Sequence, residues 1–266
     1  MMDSRRGLQL WGPVGRWVFL NWPRGSWQYD LICGATIVAL FLLPNPQAQT
    51  KGLDLDAVLV AIEASSDVLE SFTADMTATE HIELFDDEET ESGTVAFLKP
   101  AYIRREITDP ALRTELIADE SVTVYIPRIK QARIMSLAGS SEEGRDLDVP
   151  GLVSTSDLRA SFNVSLEGIS LDDGDGATLY MLHLVPKPDT SAARHFKRIG
   201  LSVAEGEWHP ARRIVLEEHA GTTTTIVLTK VHRDAGLEPD DFRLKLPEDV
   251  EIIRQAALDN AWPDVY

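Results

Sequence analysis

A single cysteine, Cys33, in 266 residues excludes an intramolecular disulfide and any thiolate metal cluster. Basic charge is scarce: 25 Lys and Arg stand against 43 Asp and Glu, a formal net charge of −18. A nucleic-acid partner is thereby excluded, because neutralising phosphates takes a basic face that the chain does not have. Aromatic residues make up only 7% of the sequence, too few for the aromatic cleft that a glycosidase needs around its carboxylates. Catalytic and metal motifs are missing as well. The six histidines, His81, His183, His195, His209, His219 and His232, are not spaced for a metal site on one element. No serine sits in Gly-x-Ser-x-Gly, and no glycine-rich loop leads into a helix as a phosphate cradle. The run Asp172-Asp173-Gly174-Asp175-Gly176 lacks the glycine and glutamate that a calcium loop requires and reads as a hairpin turn. No catalytic residue, metal site or cofactor is expected, and the chain is not read as an enzyme.

What is present divides in two. Residues 1–48 carry four arginines and two aspartates, whereas the remainder holds 21 basic and 41 acidic side chains. Leu31 to Leu43 is an uncharged apolar run of thirteen residues closed by Pro44-Asn45-Pro46. As a helix it would be roughly 20 Å long, which suits the core of a secretory signal better than a full span. Extended back to Trp27 it reaches seventeen residues, with Trp22, Trp27 and Tyr29 placed for a membrane interface. Pro46-Gln47-Ala48 is a poor cleavage signal, so both a cleaved signal peptide and a retained transmembrane anchor stay open. Either way, residues 1–48 are expected to direct export, and 49–266 to form one domain outside the cytoplasmic membrane.

That domain reads as mainly β. Leu55, Val58, Leu59, Ile62 and Leu69 recur at near-helical spacing and predict one amphipathic helix within Leu53–Ser71. From Phe72 the period changes to two, predicting a long strand to Leu84 with Phe72, Ala74, Met76 and Ala78 on one face. Asp86-Asp87-Glu88-Glu89 reads as an acidic turn. Short strand patterns follow at 93–98, 102–107, 115–118, 122–126, 130–137, 164–171, 178–185, 197–204, 211–219, 222–232 and 242–246, with a short helical piece between Ser156 and Phe162. So many strands with so few helices imply a large antiparallel sheet, curved or closed.

Between residues 92 and 137 the order of marks is distinctive. Gly93 is followed by Lys99-Pro100, then a strand of aromatic and charged residues ending at Asp109-Pro110, then Val124-Tyr125, Pro127 and Gln131. Toward the C-terminus, Phe242 to Leu246 precedes Pro247-Glu248-Asp249-Val250. This order resembles the periplasmic outer-membrane lipoprotein carrier family, the LolA-like proteins, over about 200 residues. Two marks depart from the family pattern: Asp119-Glu120 replaces its usual Asp-Gly turn, and Val124-Tyr125 stands where its Trp-x-Tyr is common.

The resemblance implies an α+β fold: a single unclosed, strongly curved antiparallel half-barrel with a helical lid over its concave, apolar face. It implies a carrier of lipoprotein acyl chains, or of another lipid, in outer-membrane lipoprotein sorting. Phe72, Met76, Ile82, Val95, Phe97, Tyr102 and Val124 are expected to line the lipid site, and Lys99 to control the lid. The implied partners are the acylated cargo and an inner-membrane lipoprotein-release transporter, with the protein itself a periplasmic monomer. A tether at residues 1–48 would favour the alternative, a membrane-held envelope sensor or lipid-binding acceptor of the same fold.

Overall fold

The computed structural model describes residues 52–136 and 158–255, except 120, 173 and 191. Residues 1–48, on which the expected export signal or anchor falls, lie outside them, as does Ser156. Among the described residues no helix is long and apolar enough to cross a membrane.

Helix α1 (Leu55–Val68) starts where the Asp54 carboxylate accepts a hydrogen bond from the Ala57 N–H at 2.9 Å. It turns Val58, Leu59 and Ile62 inward and passes through an extended Leu69 directly into strand β1 (Ser71–Ile82). Hairpins then run through β2 (Asp87–Leu98), β3 (Tyr102–Asp109), β4 (Arg113–Ala118), β5 (Ser121–Ile126) and β6 (Gln131–Ser136). A short helix α2 (Leu158–Ser161) opens the second series of β7 (Phe162–Leu171), β8 (Thr178–Pro186), β9 (Phe196–Ala204), β10 (Arg213–Glu218) and β11 (Thr222–Arg233). One helical turn, α3 (Ala192–His195), precedes β9, and β12 (Glu251–Gln255) ends the described chain.

The strands form one twelve-stranded sheet in the order β12-β6-β5-β4-β3-β2-β1-β11-β10-β9-β8-β7. Two meanders are therefore joined by the long β1·β11 pair, and β7 and β12 are the two edges of an unclosed, curved sheet. All ladders are antiparallel except β12 with β6, which is parallel.

Register aligns the apolar side chains into rows on one face, since cross-strand partners point to the same side. One row runs Phe72, Phe97, Ile103, Ile117, Val122, Met135 across β1 to β6. Another runs Ala78, Ile226, Ile214, Leu201, Leu182, Leu166 across β1 and β11 to β7. Helix α1 packs on this inner face, and Val58 and Ile62 are buried in the main core with Phe72, Phe97, Leu201 and Ile214.

Two expected elements lie elsewhere. The acidic turn is Glu83–Asp86; Asp87, Glu88 and Glu89 open β2 instead, where all three are exposed and pair with Ile82, His81 and Glu80 in that order. The strand expected at 242–246 is not one. Pro239 opens a 3-10 turn, Pro239–Phe242, locked by the Glu238 N–H donating to the Asp241 carboxylate at 2.8 Å. Phe242 and Leu244 then pack on the outer face of the sheet against Tyr102, Leu116 and Ala118. The closing strand comes later, at β12.

Candidate functional site

The inner face under α1 is the apolar surface of interest. Phe72, Met76, Val95 and Phe97 meet there in one cluster with Val58, Leu59 and Ile62 of the helix, each no more than 3% exposed. The Phe72 and Phe97 rings lie 5.4 Å apart, tilted by 36°. Ile82 sits at the far end of β1, half-buried beside Asp87 and Thr222. Val124 is on the inner face but in a separate cluster with Val122 and Met135. Tyr102 is not brought to this face. Ile103 and Ile107 take the inner positions of β3, so the alternation turns Tyr102 outward, where its ring stacks 5.5 Å from Phe242.

Lys99 stands at the end of β2, its backbone N–H bonded to the Glu70 carbonyl at 2.9 Å. Its ammonium donates to the Ser66 carbonyl at 2.7 Å and the Asp67 carbonyl at 2.9 Å. These are C-terminal carbonyls of α1, the negative end of the helix, which has no basic residue in its own last turn. Arg233, at the end of β11, adds a second cation: its Nη2 donates to Ser65 Oγ at 2.9 Å and to the Ser65 carbonyl at 3.3 Å. Ser65 Oγ in turn donates to the Glu207 carbonyl at 2.7 Å. Beside them, His209 is 1% exposed; burial first, then Arg233 and Lys99, lower its pKa to about 4. Arg233, Ser65 and His209 were not among the residues expected from the sequence.

A second polar feature interrupts the inner face on β2 to β4. Arg113 donates to Glu115 at 2.7 Å and Glu91 at 2.8 Å, and Arg105 lies 2.8 Å from the other oxygen of Glu115. Cross-strand pairing with Ala78, Ile107 and Val95 fixes all four charges on the apolar side of the sheet. Burial pulls the Arg113 pKa down, but Glu115 and Glu91 outweigh it and leave the guanidinium more firmly charged than in water. Paired, with Glu115 buried and the other three partly buried, the four side chains form a neutral polar strip along an otherwise apolar wall. Among the described residues no group of His, Cys, Asp and Glu is placed to hold a metal ion.

The candidate site is thus an open curved sheet, apolar on its inner face and covered by a helix held at one end by two cations. A family model described as "Outer membrane lipoprotein carrier protein LolA" matches residues 67–245, more than half of the chain. The chain belongs to the LolA family. Solved structures similar to this chain include a LolA superfamily protein from Nitrosomonas europaea, 15% identical, covering 73% of this chain and 99% of that one at a TM-score of 0.38. The Mycobacterium tuberculosis lipoprotein LppX is 12% identical, with 70% and 100% covered and a TM-score of 0.45. The Pseudomonas aeruginosa MucA/MucB complex matches at 15% identity, with 71% and 61% covered and a TM-score of 0.42. These likenesses are distant, and the family assignment rests on the sequence match. No match is found among the curated proteins.

Proposed function

We propose that the protein binds the acyl chains of a lipoprotein, or another lipid, on the inner face of the sheet, with α1 as a movable cover. The observation that carries this reading is the clasp of Lys99 on the Ser66 and Asp67 carbonyls, a cation on the sheet rim holding the negative end of a helix that overlies an apolar wall. Family membership supports the ligand class.

Cargo and α1 compete for the same surface, because the side chains of the inner face are already covered by Val58, Leu59 and Ile62. Three such side chains are worth about 5–9 kcal/mol of burial, at about 1.5–3 kcal/mol each. An acyl chain gains about 0.8 kcal/mol per buried methylene, so a chain of roughly ten methylenes can displace the helix. Phe72, Met76, Val95 and Phe97 would then face the lipid, with Ile82 and Val124 at the ends of the same wall. Tyr102 has no part in this.

Within this reading the protein is a non-enzymatic periplasmic carrier in outer-membrane lipoprotein sorting, loaded by an inner-membrane lipoprotein-release transporter. Residues 1–48 would direct its export or tether it to the inner membrane. The second reading is a membrane-held envelope sensor or acceptor. It is favoured by one observation: Val58, Ile62 and Phe72 are fully buried, as in a core that never opens.

Titration of the full chain with a diacylated lipopeptide and its deacylated counterpart separates the two. The carrier reading predicts that only the acylated form binds, and that Lys99→Leu changes loading or release several-fold while the protein stays folded. Equal behaviour of both peptides favours the sensor. A Lys99→Leu variant that loads, releases and melts like the parent retires Lys99 as lid control.

A further inference from the structure

The C-terminal end of α1 is held by groups from three separate places in the chain, and one of them is next to a buried histidine. Lys99 comes from the β2–β3 turn, Arg233 from the end of β11, and the Glu207 carbonyl from the β9–β10 connection. His209 belongs to that same connection. Its backbone N–H donates at 2.6 Å to the Glu207 carbonyl, the acceptor that also receives Ser65 Oγ from the helix. The ring is 1% exposed, and its Nδ1 has no hydrogen-bond partner.

The charges around this ring are unfavourable for a cation. From β11 and the β2–β3 turn it faces Arg233 and Lys99, both positive. The Glu207 carboxylate, from the ring's own connection, is turned to Arg212, which it contacts at 2.8 and 3.1 Å. From α1, the group that enters the cluster at Asp67 is its carbonyl, bound to Lys99. Asp234, beyond β11, is directed to the Glu70 N–H at 3.5 Å.

We propose that His209 makes this clasp proton-sensitive: taking up one proton at its imidazole places a third cation beside Lys99 and Arg233 and frees the C-terminal end of α1 from the sheet. The inference rests on α1 being the cover of the binding face and adds a means of lifting it.

The sign follows from where the ring is dry. Clasped, His209 resists protonation until about pH 4; released into water it returns toward the ordinary value near 6.5. Above about 6.5 the ring is neutral in both states and the clasp is at full strength. As the pH falls from there, the released state takes the proton first and its population grows, levelling off below about 4, where both states are protonated. The gap of about 2.5 units bounds the effect at about 300-fold in the ratio of released to clasped forms.

The test is backbone hydrogen exchange of the full chain between pH 7.5 and 4, corrected for intrinsic rates, comparing the parent with His209→Gln. The expected result is a selective loss of protection at the amides of residues 65–70 in the parent, up to about 300-fold, that is flattened in the variant. Equal pH dependence in parent and variant overturns the proposal. Independently of how the variant folds, the His209 ring is also titrated by NMR in the parent. Titration well below 6.5, tracked by the amides of residues 65–70, supports the proposal. A ring that takes up its proton near 6.5 while those amides stay protected overturns it. Neither measurement uses cargo, so a protein that never binds lipid leaves these curves unchanged.

Discussion

Gly93 shows how much one residue can fix. It lies in β2 where the ladder to β3 shifts by one residue, and a Cβ built there would stand 2.0 Å from the Glu106 carbonyl oxygen. Backbone cannot yield as a flexible side chain does, so the close approach of β2 and β3 requires glycine. Gly93→Ala should destabilise the domain by about 3 kcal/mol, measured by denaturant unfolding. A variant as stable as the parent would show that the strands have room to separate. Residues differ in how far the sequence reveals them. Lys99 is legible because it directly precedes Pro100 among the family's marks. Ser65 and Arg233 are not, since they meet across 168 residues and each looks like an ordinary polar side chain. His209 is likewise silent in the sequence, because its burial is decided by strands distant in the chain.

At the scale of elements, periodicity carries most of the information. The near-3.6 spacing of Val58, Leu59 and Ile62 marks α1, and the alternation in 72–78 marks β1, because each buries one side only. The pattern fails where another force sets the geometry. Asp87, Glu88 and Glu89 look like a turn because they are solvated whichever way they point, so pairing with β1 leaves no signature. Phe242, Leu244 and Leu246 alternate like a strand, yet Pro239 and the Asp241 cap divert the segment over the outer face. The closing strand has adjacent isoleucines, Ile252 and Ile253, and no alternation to betray it. The segment's anchor is Phe242, 2% exposed against Tyr102. Phe242→Ala should cost about 3–5 kcal/mol and raise hydrogen exchange in β12, the strand that follows the segment in the chain. Unchanged exchange in β12 would mean that its ladder holds without the anchor.

For the whole molecule, charge and apolar surface are separated along the chain and across the sheet. The basic, tryptophan-rich residues 1–48 precede a domain that carries a net charge of −20. This division predicts that a reporter fused after residue 60 is active only in the cell envelope. Activity in the cytoplasm would remove the carrier reading.

The central claim is that the inner face exchanges α1 for acyl chains. Its most direct test is mass spectrometry of organic extracts from the full chain purified natively from the envelope. The account predicts an acyl-bearing molecule at close to one per protein, depleted when the inner wall is made polar by Met76→Asn. Extracts free of lipid from a folded parent protein that also fails to take up the diacylated lipopeptide would contradict it.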